Sequence, residues 1–221
     1  MVTLPLSSQL IHLFAAVMLL LSFAMLAQRR VLSLVYLFAW QGAALFGSTV
    51  VVAASSGQHH LYYSAALTLV LKVGLLPFIL HRLIRRLGVQ WDMETLVNIP
   101  TTMLLGLVLV VFSFGLAQPI TELATTIARS ALGIAMAVIM LSFLMMITRR
   151  KAVSQVVGFL AMENGLFFAA TSAVYGMPMV VELGIALDVL VAVFILGIFF
   201  FHIQEQFESL DLHHLEKLKE D

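Results

Sequence analysis

The sequence predicts an all-α integral membrane protein with about seven transmembrane helices. Of its 221 residues, 62% are hydrophobic and only 11% are charged, and its mean hydropathy is +1.05. Soluble domains have roughly 45–50% apolar and about 25% charged residues, so lipid is the main solvent of this chain. Its long apolar runs lack the alternation over about ten residues that a membrane β-barrel requires.

Each predicted span is long enough to cross the hydrocarbon core, which takes roughly 20 mainly apolar residues. In chain order, the predicted helices cover residues 9–27, 32–54, 62–84, 98–117, 129–148, 153–175 and 180–202. Residues 1–203 therefore form a transmembrane domain, and residues 204–221 form a polar tail. Leucines at a rough helical period in the tail favour either a short amphipathic helix on the membrane or a partner subunit, or a merely solvated end.

Positive charges are concentrated in alternate loops. They follow the first, third and fifth helices and recur in the tail, at Arg29, Arg30, Arg82, Arg85, Arg86, Arg149, Arg150, Lys151, Lys217 and Lys219. The intervening loops contain no lysine or arginine, and Arg129 follows one of them at the first position of the fifth span. By the positive-inside rule, the N-terminus is outside and the tail is cytoplasmic. We expect the chain to be a multi-pass protein of the inner (cytoplasmic) membrane.

Several classes of chemistry are excluded from this chain. It contains no cysteine, which excludes disulfides and cysteine-ligated iron–sulfur clusters. Its formal net charge of +0 provides no global field for nucleic acid. It has no P-loop, dinucleotide fingerprint, nucleophile elbow or histidine pair at metal-ligand spacing beside a carboxylate. We therefore expect no metal, cofactor or covalent catalytic centre here.

Besides the histidines and the arginines at span ends, four charged residues fall inside the predicted spans: Lys72, Glu163, Glu182 and Asp188. Each is costly in lipid unless it faces protein or water, and such residues commonly mark ion paths. Lys72 and Glu163 are each ten residues into their helices, which puts both near the midplane. Asp188 lies somewhat toward the outside, and Glu182 lies at the outer end, where it can equally be solvated.

A lysine and a carboxylate at one depth suit proton handling. Burial favours the neutral form of each group, whereas pairing favours the charged forms, so a change in hydration can move a proton between them. The alternative is a static ion pair that holds helices together. Pro77 breaks a backbone hydrogen bond close to Lys72, although an ordinary membrane proline is equally compatible.

A weak internal duplication connects the two halves of the chain. Two arginines precede an apolar helix with an amide and a glycine in each half, and the next helix then holds a buried charge and ends in histidine: Arg29, Arg30, Gln41, Gly42 and His81 parallel Arg149, Arg150, Asn164, Gly165 and His202. Such repeats are common in transport folds. His81 and His202 at cytoplasmic helix ends can pass protons to the cytoplasm or simply cap a helix.

Two runs of residues resemble the signature of the hydrogenase-4 component E family. They are the run from Phe159 to Gly165, which contains Met-Glu-Asn-Gly, and the run from Met179 to Asp188. Leu71-Lys72-Val73 with Pro77 is similar to the third helix of that family, and the tail from Leu210 to Lys219 resembles its tail. Residues 129–203 are also similar to the NuoK subunit of complex I and to the C subunit of multi-subunit Na⁺/H⁺ antiporters.

The resemblance implies a membrane subunit of a complex I-like, group 4 nickel–iron hydrogenase or formate hydrogenlyase complex. Proton-path acids of the group would correspond to Glu163 and Asp188, with Lys72 and Glu182 as further members and Asn164 and Gly165 in support. The nickel–iron and iron–sulfur centres would lie in partner subunits, next to antiporter-like membrane subunits. Two alternatives remain, a purely structural subunit and a self-contained ion-coupled secondary transporter.

Overall fold

Six long helices form the part of the chain that the computed structural model describes, which is residues 5–86, 96–121 and 126–174 together with Gly184. They are α1 (Leu6–Ala27), α2 (Val31–Ser56), α3 (α-helical His60–Thr68, π-helical Leu69–Leu75 and α-helical Leu76–Arg86), α4 (Ile99–Thr121), α5 (Thr126–Thr148) and α6 (Ala152–Val174). All six are long and apolar enough to cross a membrane. The chain is a multi-pass membrane protein. Apart from Gly184, the predicted seventh span at 180–202 lies outside the described residues.

Short connections make consecutive helices alternate in direction. Residues 28–30 join α1 to α2, residues 57–59 join α2 to α3, and residues 149–151 join α5 to α6. Gly57 ends α2 with a φ of 68° and donates its backbone N–H to Ala53 O at 3.1 Å, because glycine adopts this left-handed conformation without strain. We call the end that carries Arg29, Arg149 and Arg150 the arginine end, and the opposite end, with His59 and His60, the histidine end.

The core lies where α1, α2, α5 and α6 meet. α1 packs against α2 and α5, and α2 packs against α3 and α6. The core side chains near the histidine end are mainly small or aliphatic, with two aromatic rings from α6: Ile11, Ala15, Met18, Ala44, Leu45, Val52, Ala53, Leu61, Ala131, Ala135, Val138, Phe167 and Phe168. α4 lies against α5 and α1 and exposes many apolar side chains, as expected for a surface facing lipid or another subunit.

Glycines bring α5 and α6 into close contact. A Cβ atom on Gly165 would lie 3.0 Å from Ile139 Cγ1 and 3.1 Å from Val138 Cγ1. One on Gly158, seven residues earlier, would lie 2.8 Å from Met146 Cγ. Small residues have this role in membrane helices because lipid provides no hydrophobic force between helices, which instead associate through close packing.

The middle of α3 departs from regular α-helix. Residues Leu69–Leu75 form a π-helical segment, and the Leu76 N–H donates to Leu71 O, five residues back. Pro77 follows directly and has no N–H to donate. The sequence predicts a break beside Lys72, and the break takes the form of one widened stretch of helix with Lys72 inside it. Such segments frequently occur at functional sites.

Candidate functional site: a buried ion pair between α3 and α6

Lys72 and Glu163 form an ion pair inside the bundle. Lys72 Nζ lies 3.3 Å from Glu163 Oε1, and the two side chains are 2% and 4% exposed. Lys72 is about 18 Å from the start of α3 at the histidine end, and Glu163 is about 17 Å from the start of α6 at the arginine end. Since the two helices run in opposite directions, both groups lie near the midplane, shielded from lipid.

Gly42 of α2 lets Lys72 approach. A Cβ atom on Gly42 would lie 3.2 Å from Lys72 Cβ and 3.4 Å from Val73 Cγ2, so a larger residue would push α3 away. The same contact fixes the register between α2 and α3. Together with the π-helical segment, it directs the lysine side chain into the bundle toward α6.

An aromatic ring and a glycine also lie next to the pair. Lys72 Nζ lies 5.6 Å from the centroid of the Phe167 ring, a geometry in which the ring favours the charged ammonium. A Cβ atom on Gly184 would lie 3.2 Å from Phe167 Cδ2 and 3.8 Å from Glu163 Oε1. A Cβ atom on Gly184 would therefore press on the Phe167 ring and make only ordinary van der Waals contact with the carboxylate.

A chain of hydrogen bonds crosses three helices beside the pair. Asn164 Nδ2 donates to Gln41 Oε1 at 3.1 Å, and Gln41 Nε2 donates to Ser22 Oγ at 2.9 Å. Ser22 Oγ in turn donates to Met18 O at 2.9 Å. The three hydrogen bonds run in one direction, with Asn164 as the first donor. Asn164 Oδ1 is buried without a hydrogen-bond partner among the described residues. The chain fixes α1, α2 and α6 to one another next to Glu163.

The arrangement supports proton exchange between the two side chains. At 3.3 Å, transfer of one proton from Lys72 Nζ to Glu163 Oε1 converts two buried charges into two neutral groups. Burial favours the neutral state of both groups. The attraction between the two charges and the contact of Lys72 with the Phe167 ring favour the charged state. The balance therefore depends on hydration and on any further charge that comes near.

The other predicted site residues divide into two groups. Pro77 lies in α3 just past the π-helical segment, and His81 lies one turn beyond it, with its ring 6.1 Å from that of Tyr36. Glu182, Asp188, His202 and the tail 204–221 lie outside the described residues. Gly165 packs against α5 rather than toward Lys72.

Arg149 is a structural residue that the sequence reasoning missed. It is 2% exposed, and its Nη2 donates to Leu26 O at 2.7 Å and to Gln28 O at 2.8 Å, with a longer contact to Met25 O at 3.4 Å. These carbonyls lie at the end of α1, where helix carbonyls lack intrahelical partners, although Met25 O also accepts from the Gln28 N–H at 3.3 Å. Burial lowers the pKa of the Arg149 guanidinium, although an arginine stays protonated at physiological pH. In the sequence, Arg149 is marked only by its parallel with Arg29, and that parallel does not indicate that Arg149 is buried.

Two groups of known proteins are similar to this chain. An uncharacterized protein of Mycobacterium tuberculosis, Rv0085, is 33% identical over 209 residues, which cover 94% of this chain and 95% of that protein. Hydrogenase-4 component E of Escherichia coli K12 and of Shigella flexneri is 26% identical over 155 residues, which cover 70% of this chain and 72% of each relative. No family profile and no solved structure matches the chain. The resemblance to hydrogenase-4 component E is thus confirmed as a distant relationship, whereas the similarity to NuoK and to the antiporter C subunit stays a prediction.

Proposed function

Since the chain belongs to the family of the Mycobacterium tuberculosis protein Rv0085, with hydrogenase-4 component E as a distant relative, we propose that it is a membrane-arm subunit of a complex I-like, group 4 nickel–iron hydrogenase or formate hydrogenlyase complex. It contributes part of the proton-translocation path in the inner membrane. The redox centres are held by partner subunits, and antiporter-like subunits are its neighbours in the bilayer.

The Lys72–Glu163 pair is the observation that carries this proposal. Two opposite charges, each 1–3% exposed as residues, lie near the midplane of a bundle whose helices are mainly apolar. An uncompensated charge at this depth costs several kcal/mol, and a buried ion pair is weak evidence for stability in itself. A transport role explains why such a pair is kept. Asp188 and Glu182 are proposed as further members of the same path.

The pair favours a proton over a sodium ion as the transported species. A sodium site needs several oxygen ligands around the carboxylate, but an ammonium group already lies 3.3 Å from Glu163 Oε1. A second cation at that carboxylate would be repelled by the ammonium in a low-dielectric interior. A proton needs no such space, because it can move between the two side chains themselves.

A locked ion pair is the second candidate, and the geometry gives it a specific basis. The hydrogen bond from Asn164 to Gln41 holds α6 against α2, and the Phe167 ring holds Lys72 next to α6. In that case the pair joins α3 to α6 and does not titrate during turnover. The two candidates use the same residues, so they differ only in what happens when the charge is removed and the shape is kept.

Glu163→Gln tests the proposal, because glutamine keeps the shape of the side chain and removes the titratable group. We expect an assembled complex that still transfers electrons from hydrogen or formate to an artificial acceptor. Proton translocation into inverted membrane vesicles, measured with a pH-sensitive dye, should be lost. Glu220→Gln, in the polar tail, is the matched control and should pump normally.

Two results would count against a proton path. Wild-type pumping by the Glu163→Gln complex would exclude Glu163 from the path. Loss of assembly, with this chain absent from the purified complex, would favour the locked pair. Quantifying the chain in the purified complex by mass spectrometry separates the second result from a loss of transport alone.

A further inference from the structure

Polar side chains follow one face of α3 from the histidine end to Lys72. His60, Ser64, Thr68 and Lys72 occupy every fourth position, and this spacing puts side chains on the same helix face. His60 is exposed, whereas Ser64 and Thr68 are each 4% exposed. At the usual rise per residue, successive members are about 6 Å apart and the whole series spans about 18 Å. We call these four residues the α3 file.

Two buried hydroxyl groups at this level of the bundle lack a hydrogen-bond partner among the described residues. Ser64 Oγ and, on the neighbouring α2, Ser48 Oγ are buried and have no hydrogen-bond partner among the described residues. Ser48 is six residues nearer the histidine end than Gly42, which contacts Lys72. This offset of about 9 Å puts Ser48 between the levels of Thr68 and Ser64. Ser64 Oγ therefore lies within the file, whereas Ser48 lies on the face of α2 that Gln41 presents to α1 and α6.

Water is the ligand that fits these groups. Leu45, Val52 and Leu61 belong to the same core and bring only apolar side chains, so no side chain among them can serve either serine. Buried polar groups without protein partners are normally satisfied by ordered water. Because each hydrogen bond is about 2.8 Å long, one water bridges polar atoms at most about 5.6 Å apart, so each step of about 6 Å along the file takes one or two waters.

We propose that Ser64 and Thr68 hold a short row of water molecules that connects the Lys72–Glu163 pair to the histidine end, where His60 marks the opening. This inference rests on the proposed function. Thr68 Oγ1 donates to Ser64 O at 3.0 Å and keeps its lone pairs for water. Hydroxyls and water both donate and accept, so they pass protons along the row. The Asn164–Gln41–Ser22 chain lacks this property, since its two amide donors are oriented in one direction.

Thr68→Val provides the first test, because valine keeps the shape of threonine and removes the hydroxyl. Combined with Ser64→Ala in the complete complex, it should lower proton translocation per electron transferred by about fivefold or more. Thr68→Ser keeps the hydroxyl and should pump within about twofold of wild type. Ser142→Ala, at a buried serine whose hydroxyl already donates to Val138 O at 2.8 Å, is the control on α5 and should also pump normally.

The absence of native cysteine in the chain permits a direct test of hydration. Ser64→Cys in the complete complex should react with methanethiosulfonate ethylammonium applied at the face that carries the histidine end, about tenfold faster than Ala135→Cys, since a thiol must reach water to ionise. Ala135 is 0% exposed in the apolar core. Labelling is read on this chain by mass spectrometry after purification.

The outcomes separate this inference from the proposed function. The row is supported if Ser64→Cys is labelled and the Thr68→Val, Ser64→Ala variant loses pumping. It is overturned if Ser64→Cys reacts no faster than Ala135→Cys and the double variant pumps normally while Glu163→Gln does not, because the path then reaches Glu163 by another route. If Glu163→Gln also pumps normally, the inference falls together with the proposed function.

Discussion

At the residue scale, Arg149 links the arginine ends of α1 and α5. Its guanidinium donates to carbonyls at the end of α1, and its own backbone directly follows α5. Helix ends leave four carbonyls without intrahelical partners, and a positive group there also complements the helix dipole. Lysine is a point charge with fewer directed donors, so it cannot reproduce this geometry.

Arg149→Gln should therefore destabilise the bundle more than any exposed arginine does. Hydrogen bonds to charged groups contribute about 1.5–3 kcal/mol, and each kcal/mol lost corresponds to about 2–4 °C in Tm for a chain of this size. We expect a fall of several degrees in detergent, measured by fluorescence-detected size exclusion after heating, with Arg149→Lys intermediate. Arg29→Gln, at an exposed arginine of the same end, is the control. Equal Tm values for the two glutamine variants would exclude the capping role.

The sequence indicates that Lys72 and Glu163 are buried but does not indicate that Arg149 is buried, for a physical reason. Lys72 and Glu163 stand out because a charge deep in an apolar run is costly, so their positions alone indicate an interior location. Arg149 lies at a helix end, where a positive charge is expected whether it is buried or solvated. Its burial depends on which carbonyls α1 presents, and that is a property of packing between distant segments.

At the element scale, the contact between α5 and α6 depends on the absence of a side chain at Gly165. Gly165→Val should separate the two helices, because even its Cβ would lie 3.0 Å from Ile139 Cγ1 and 3.3 Å from Ala135 O. Overpacking of this kind typically costs 1–3 kcal/mol. We expect a lower yield of folded protein and a lower Tm. Gly115→Val on α4 is the control, since no atom lies within 4 Å of its added Cβ, and equal behaviour of both variants would contradict the packing.

Helix bounds are predictable from sequence here, whereas the internal geometry of α3 is not. The six described helices agree with the predicted spans within a few residues because bilayer thickness sets the length of each apolar run. Pro77 indicates a disturbance in the third span, but a proline permits a kink as readily as a π-helical segment. Which one forms depends on contacts such as that of Gly42 with Lys72.

At the scale of the whole molecule, the corresponding helices of the two halves are neighbours. α1 packs against α5, α2 packs against α6, and Asn164 donates to Gln41 at the matching position. This arrangement is the one expected for parallel repeats related by an axis along the membrane normal. The halves differ where Arg149 is buried and Arg29 is exposed, so the two arginines no longer have the same role.

Seven crossings with the N-terminus outside remain the topology that the loop charges predict. The six described helices make five alternations of direction, so residues 57–59 and the end of α6 are at the histidine end, and a seventh crossing would return the tail to the arginine end. Because arginine and lysine are retained on the cytoplasmic side, the arginine end should be cytoplasmic. Alkaline phosphatase fused after Ser56 should be active outside, and a green fluorescent protein fused after Asp221 should fluoresce inside. Signals from the same side in both fusions would contradict the seventh crossing, while reversed signals would contradict the orientation and move the opening at His60 to the cytoplasm.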